Sequence, residues 1–353
     1  MSVRKLTTGY QGQYRDAAGR RHTQMWPTRT AAVVWAADGA AAVRVGTHRD
    51  PRAGRLTFAA WHARWDAARV IEDSTRRVAK SYTPGLLQQW GHWPLSAITR
   101  LEVQGWVRRL EREGRGPYAI EKLAQLLTST LEAAVDEDLL PSNPARRVTL
   151  PRRTVTPVRV ITQAEEQSLL EVLPTDRDRW MVEVFLDTGL RYGELAGLHG
   201  HRVDLLRAEV RVVEVLTQAG KIKPYPKTTA GQRVVPLTKR AVLALSQAMT
   251  GQGRDGLVFH AHRRSPGTDT FGPVVGANWR RNVWTPSVER AGLAKPWPTP
   301  HSCRHTCLTR LAAAGVDVRT VQAFAGHGSL TTTYRYLHAQ PDAHDKVRRA
   351  LGG

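Results

Sequence analysis

Apolar and polar positions alternate with a period of two near the start of the chain. Gly9 to Tyr14 and His22 to Trp26 flank a polar turn, Arg15 to Gly19, whose glycine tolerates positive φ, and this predicts a small β-hairpin. Thr28 is placed to cap a helix running from about Arg29 through an Ala-rich stretch to about Val43. After a basic Gly/Pro-containing link, Thr47 to Arg55, the period becomes helical. Phe58, Trp61, Trp65 and Ala68 recur at helical spacing, followed by Thr75 to Trp90, Leu101 to Arg112 and Tyr118 to Leu140. The breaks fall at Pro94, at Gly114 to Pro117 and at Pro141 to Pro144. The tryptophans here read as core rather than as base-stacking platforms.

Residues 146–158 (RRVTLPRRTVTPV) are basic and proline-punctuated, as an extended linker would be. Beyond them Thr162 and Glu165 form a capping box. A helix over Trp180 to Asp187 should end at Thr188-Gly189, and another should run from Arg191 to about Leu198. The segments 210–216 (VRVVEVL) and 232–237 (QRVVPL) read as antiparallel strands joined by a Lys- and Pro-rich loop. Helices are expected at 238–250, 278–291, 302–314 and 317–325. The pattern is that of a multi-domain, mainly α chain with small β elements. A hairpin-and-helix module covers 1–54, a helical domain 55–147, a linker 148–158 and an α+β domain 159–353.

Charge changes the picture. The 353 residues hold 52 Lys+Arg against 31 Asp+Glu, a formal net charge of +21. The excess is 9 basic to 3 acidic residues over 1–54, 16 to 11 over 55–154 and 27 to 17 over 155–353, so every section is basic. With 41% hydrophobic residues the chain can fill a sizeable core, which excludes a wholly disordered basic tail. No apolar run approaches 18 residues, and the first residues offer no secretory signal. Cys303 and Cys307, four apart, cannot staple distant segments, and a reducing cytoplasm is the expected compartment. The partner expected of such a protein is nucleic acid, held by phosphate neutralisation; a membrane surface ranks below it, because no basic amphipathic helix stands out.

Polar groups fall at exposed punctuation in the last section. Arg191 follows a glycine turn at a helix start, and Lys227 lies on a proline-stiffened loop with Lys221 and Lys223 as substitutes nearby. His301 and Arg304, three apart at a helix start, share a face; His327 ends a helix, and Tyr336 lies nine residues on. This is a phosphoryl-transfer inventory without carboxylate metal ligands. Guanidiniums can fork onto phosphate oxygens, Lys or His can protonate a leaving alkoxide, and a phenol can attack. The alternation His301, Cys303, His305, Cys307 invites a zinc reading, but residues two apart on a helix point to different sides, and no metal or other cofactor is expected. His199 and His201 are assigned nothing.

The strings TGLRYGEL (188–195), PKT with RVVPL (226–237), HSCRHT (301–306) and AGHGSLTTTYRYLH (325–338) resemble, in that order, the tyrosine recombinases of the phage integrase family. The resemblance implies that Arg191 and Arg304 bind the scissile phosphate. It makes Lys227 the general acid for the departing 5′-oxygen, His301 a proton-transfer group for the nucleophile, and His327 a donor to a phosphate oxygen. Tyr336 would attack, leaving a 3′-phosphotyrosyl link and a free 5′-hydroxyl, with no ATP required. Glu194 would support Arg191. Tyr334 is a rival nucleophile that the spacing from His327 and the following His338 disfavour. Cys303 and Ala325 stand where the family usually has leucine, both at packing positions. Residues 55–147 look like a core-binding domain and residues 1–54 like an arm-type DNA-binding module. The implied activity is site-specific integration and excision of a phage or mobile element. Its implied partners are double-stranded DNA at core and arm sites, a homotetramer on that DNA, and an accessory directionality or bending factor. A catalytically decayed regulator and a type IB topoisomerase are the competing functions.

Overall fold

The computed structural model describes residues 1–46, 48, 53–153, 158–224, 231–264, 271–334 and 336. The chain divides into two compact units, Met1–Val155 and Thr156–Gly353.

In the first unit, β1 (Ser2–Leu6), β2 (Gly9–Arg15) and β3 (Arg21–Trp26) form an antiparallel sheet in that order. The expected hairpin is therefore three-stranded. β1 (SVRKL) escapes the alternation because its core-side contribution is slight: Val3 lies opposite Gly12. Asp16 builds the β2–β3 turn, accepting at 2.9 Å from the backbone N–H of Ala18 and Arg20. Helix α1 (Arg29–Arg44) starts at Thr28, whose hydroxyl accepts from the Ala31 N–H. It covers one sheet face, where Ala32 and Ala36 are fully buried and Tyr14 packs against Trp35.

Helices α2 (Phe58–Ala68), α3 (Asp73–Trp90), α4 (Arg100–Arg112) and α5 (Pro117–Asp136) follow, α2 and α4 capped by Thr57 and Thr99. They close around Phe58, Trp61, Leu86, Trp90, Trp106 and Leu127, so these tryptophans are core. Trp61 also donates its indole N–H to the Thr130 carbonyl at 2.8 Å. The first residues of the expected linker are anchored: Val148 and Leu150 pack on this core, and Gln104 exchanges two hydrogen bonds with the Thr149 backbone.

The second unit opens with α6 (Gln163–Glu171), which carries the expected capping box, α7 (Asp176–Thr188) and α8 (Tyr192–Ala196). Strands β4 (Val203–Asp204), β5 (Glu209–Val212), β6 (Glu214–Leu216), β7 (Ile222–Pro224) and β8 (Arg233–Pro236) come next. The expected single strand over 210–216 is two. β5 pairs with β8, whereas β6 turns away after Val213 to pair with β7. Helix α9 (Lys239–Met249) leads to a second hairpin, β9 (His260–Arg264) and β10 (Phe271–Pro273), absent from the sequence reading.

The expected helix at 278–291 runs as α10 (Gly276–Trp279), a wider π turn over Arg280–Trp284, and α11 (Thr285–Arg290). Pro286, with no N–H for the Asn282 carbonyl, accounts for the widened turn. The unit ends with α12 (Pro300–Ala313), α13 (Val318–Ala325) and α14 (Leu330–Tyr334). Its main core surrounds α7, where Met181, Val182 and Phe185 are fully buried. A smaller cluster joins Leu308 and Ala312 of α12 to Val321 and Ala325 of α13, and includes Tyr336. Among the described residues no helix is long and apolar enough to cross a membrane.

Candidate active site

Two helix ends build the site. α7 and α13 both finish on a left-handed glycine, Gly189 (φ 57°) and Gly326 (φ 65°), a conformation that L side chains adopt only with strain. The last carbonyls of a helix lack intrahelical partners and carry its negative dipole end. Here guanidiniums take them. Arg304, from α12, donates Nη1 to the Gly189 carbonyl and Nη2 to the Ala325 carbonyl, each at 2.6 Å. Arg191 donates Nη2 to the Gly326 carbonyl at 2.8 Å, and Arg233, at the start of β8, donates Nε to the Phe324 carbonyl at 2.7 Å. Three consecutive carbonyls of one helix end thus hold three arginines side by side.

Glu194 ties two of them together. Its Oε1 accepts from Nη1 of Arg191 (2.8 Å) and Nη1 of Arg233 (3.1 Å), and its Oε2 accepts from the Arg191 backbone N–H and Nη2 of Arg233 (both 2.8 Å). Burial pushes the Glu194 carboxyl up, but its hydrogen bonds to Arg233 and the charges of Arg233 and Arg191 more than offset this and bring its pKa down to about 2. Arg233 was not singled out as a site residue by the sequence reading. Arg304 is 1% exposed, and burial, then the neighbouring Arg191, lowers its pKa to about 10, which leaves it cationic at neutral pH.

His327 accepts a bond from Arg304: Arg304 Nη2 lies 2.9 Å from His327 Nε2, and a guanidinium can only donate. That assigns the proton to Nδ1, which donates to the Thr333 hydroxyl at 2.9 Å. Burial, then the charges of Arg304, Arg191 and Arg233, pushes the His327 pKa down to about 3, so the ring is neutral. The expected donor to a phosphate oxygen is therefore occupied here as an acceptor.

Tyr336 is 3% exposed and Tyr334 50% exposed. The Tyr336 ring stacks on His327, with centroids 6.1 Å apart and planes within 8°. Its hydroxyl lies 2.7 Å from Nδ1 of His305, a residue the sequence reading considered only as a zinc ligand. His301, expected at the nucleophile, stands one turn earlier on α12 and is exposed, its ring edge-on to His305 with centroids 4.5 Å apart. Desolvation and the charges of Arg304 and Arg191 hold the His301 imidazole below its ordinary pKa. Arg191, His301, Arg304, His327 and Tyr336 are thus brought to one place. Lys227 and His338 lie outside the described residues. Cys303 and Cys307 are buried free thiols, raised in pKa by burial.

A buried tyrosine among arginines and histidines on this mainly helical fold defines a class, and the comparisons agree. The phage integrase family matches residues 159–343, more than half of the chain, and the chain belongs to that family. It is an enzyme that cleaves and rejoins DNA in site-specific recombination, and neither the decayed regulator nor the topoisomerase reading is favoured.

Among its relatives is the tyrosine recombinase XerC of Yersinia pestis, 31% identical over 260 residues that cover 70% of this chain and 76% of that protein. A XerC-like tyrosine recombinase of Caldanaerobacter subterraneus subsp. tengcongensis is 26% identical over 271 residues, 70% of this chain and 69% of that one. Among solved structures, the Tn1549 transposon integrase in complex with a circular intermediate DNA superposes with a TM-score of 0.71 at 22% identity, covering 84% of this chain and 100% of that one. A lambda integrase tetramer bound to a Holliday junction superposes with a TM-score of 0.62 at 19% identity, covering 95% and 94%. At these identities the two structures speak for the fold.

Proposed function

We propose that Tyr336 is the nucleophile that cuts the DNA strand, with Arg191 and Arg304 holding the scissile phosphate. The observation that carries the reading is the buried Tyr336 hydroxyl, bonded to one imidazole while its ring stacks on a second that is itself bonded to Arg304. Guanidiniums fixed in a water-poor site can stabilise the charge of the pentavalent phosphorane without reorganising. Glu194 and Arg233 hold Arg191 in place, and His327 turns to a phosphate oxygen once DNA displaces its bond from Arg304. His301, at the open side, takes part in proton transfer, and Lys227 supplies the proton to the departing 5′-oxygen. The product is a 3′-phosphotyrosyl bond and a free 5′-hydroxyl, and resealing is the same path in reverse. No metal or ATP enters these steps.

In this reading the protein is the integrase of a phage or mobile element, acting in the bacterial cytoplasm on nucleoid DNA. Strand exchange joins two duplexes through paired cleavages, so it works as a homotetramer on double-stranded DNA, with an accessory directionality or bending factor setting its direction. Residues 55–147 serve as the core-binding domain, 148–158 as the linker and 159–353 as the catalytic domain.

Residues 1–54 serve as an arm-type module, and the sheet supports this. Side chains alternate along a strand, so with Tyr14 turned to α1 the opposite face carries Arg4, Gln11, Gln13, Arg15, Arg21 and Thr23. Arginine and glutamine are the side chains that read guanine and adenine edges in a major groove.

The test uses nicked duplexes cut from the DNA flanking the reading frame. The wild-type protein should form a covalent adduct, in excess EDTA as well, and Tyr336→Phe should form none. An undiminished adduct in that variant transfers the role to Tyr334 or elsewhere.

A further inference from the structure

We infer that His305 is the proton acceptor for the Tyr336 hydroxyl during strand cleavage, an inference that rests on Tyr336 being the nucleophile. A phenol with an ordinary pKa of about 10 attacks poorly until its proton has somewhere to go. Tyr336 is nearly shut off from water, so the acceptor has to be part of the protein. His305 Nδ1 is already 2.7 Å from the hydroxyl, inside the distance proton transfer needs.

The other two imidazoles are committed differently. His327 spends Nε2 on Arg304 and the Nδ1 proton on Thr333, and it meets Tyr336 face to face rather than through a ring nitrogen. His301 presents its ring edge-on to His305 and opens to solvent, which places it on the substrate side.

The charges around the pair suit a transient transfer. His301 lies beside it on α12 and His327 at the end of α13, with Arg191 acting on Arg304 and on these two histidines; the Arg304 charge interacts directly with the phenol. The arginine charge favours negative charge developing on the phenol oxygen. As the phenolic oxygen bonds to phosphorus, its proton moves to His305 Nδ1, the P–O5′ bond breaks, and the 5′-oxygen takes a proton from the acid on the leaving side. When the 5′-hydroxyl attacks the phosphotyrosyl bond, the leaving phenolate recovers its proton from His305. His305 follows Arg304 directly in the chain, so α12 supplies both a phosphate-binding cation and the base for the nucleophile.

The test compares two versions of the nicked duplex that the full-length wild-type protein captures, one natural and one with a 5′-bridging phosphorothiolate, whose thiolate leaves without protonation. His305→Ala should slow adduct formation about 10²-fold at pH 7 on both, with the deficit narrowing as hydroxide rises toward the phenol's pKa. His305→Asn puts an amide oxygen near the Nδ1 position and keeps a hydrogen bond without a titrating base. It should match wild type in circular dichroism and duplex affinity while staying slow. Wild-type rate in His305→Asn would reduce the residue to a hydrogen-bond anchor and overturn the inference. Recovery of His305→Ala on the phosphorothiolate alone would do the same, because it would place His305 on the leaving side. Tyr336→Phe runs beside them: an adduct there refutes the nucleophile assignment itself, whatever His305 does.

Discussion

Replacing Glu194 by Gln probes whether the carboxylate organises the arginines. The side chain is fully buried, and each of its oxygens accepts two bonds, Oε1 from two guanidiniums and Oε2 from a guanidinium and a backbone N–H. A glutamine of the same shape must put its NH2 group where one of these oxygens was, and either choice sets it against two donors. Neutralising the carboxylate also takes from Arg233, 6% exposed, the counter-charge it has among the described residues, whereas Arg191 at 33% keeps some solvent. Removing one partner of a buried pair costs about 3–5 kcal/mol, which is roughly two to four decades in a local opening equilibrium.

Hydrogen exchange on the full-length protein reads this locally. Peptides spanning the end of α7 and α8 should lose at least about 10²-fold protection in Glu194→Gln, while those of α2–α5 should not change. The pH dependence has a definite sign. The folded pKa of about 2 lies below the ordinary 4.5, so the stabilisation is complete above pH 4.5 and disappears as pH falls through 2. Glu194→Gln should lack that dependence. Unchanged protection in the variant would refute the claim that four donors converge on this carboxylate.

Two further outcomes can be checked directly. In the free protein, His327 should show a neutral Nδ1–H tautomer by nitrogen NMR, with no titration midpoint between pH 5 and 8; a midpoint near 6.5 would contradict its bond from Arg304. Deleting residues 1–54 should weaken integration at accessory sites more than binding at the core site, as measured by gel shift on separate duplexes, and equal losses would remove the arm-module assignment.

Much of this site was legible because its chemistry sits on strong punctuation. Gly189 and Gly326 end helices, Pro300 starts one, and the arginine or histidine beside each is exposed to reading from the sequence. What escaped was contact between distant segments. Arg233 looked like part of a strand, and only the fold brings it beside Glu194, 39 residues away. His305 and Tyr336 are 31 residues apart, and nothing in either local pattern announces their bond. Backbone partners are harder still, since any residue's carbonyl looks alike on paper; that Phe324, Ala325 and Gly326 each hold a different arginine follows from the geometry of one helix end. The missed strand β1 and the split at Val213 have the same origin: half-exposed, mixed segments take their pairing from neighbours rather than from their own alternation.

If Arg191 and Arg304 hold the scissile phosphate as proposed, that helix end also bears on how they take it up. A row of guanidiniums facing one another would repel, and the negative end of α13 offsets this by giving each one a carbonyl. A phosphodiester is an anion and a stronger acceptor than a carbonyl, so charge-assisted bonds to it can replace the weaker ones or add to them. A guanidinium carries five N–H groups, and the three bonds from Arg304 to Gly189, Ala325 and His327 leave N–H groups over. The two backbone carbonyls can therefore stay in place as the rigid mount, while the bond to neutral His327 is the one a phosphate would replace. His327 released in this way meets an anion instead of a cation, which raises its pKa and favours donation. On the proposed reading, binding of the phosphate and rearming of His327 would be a single exchange on a scaffold that need not move.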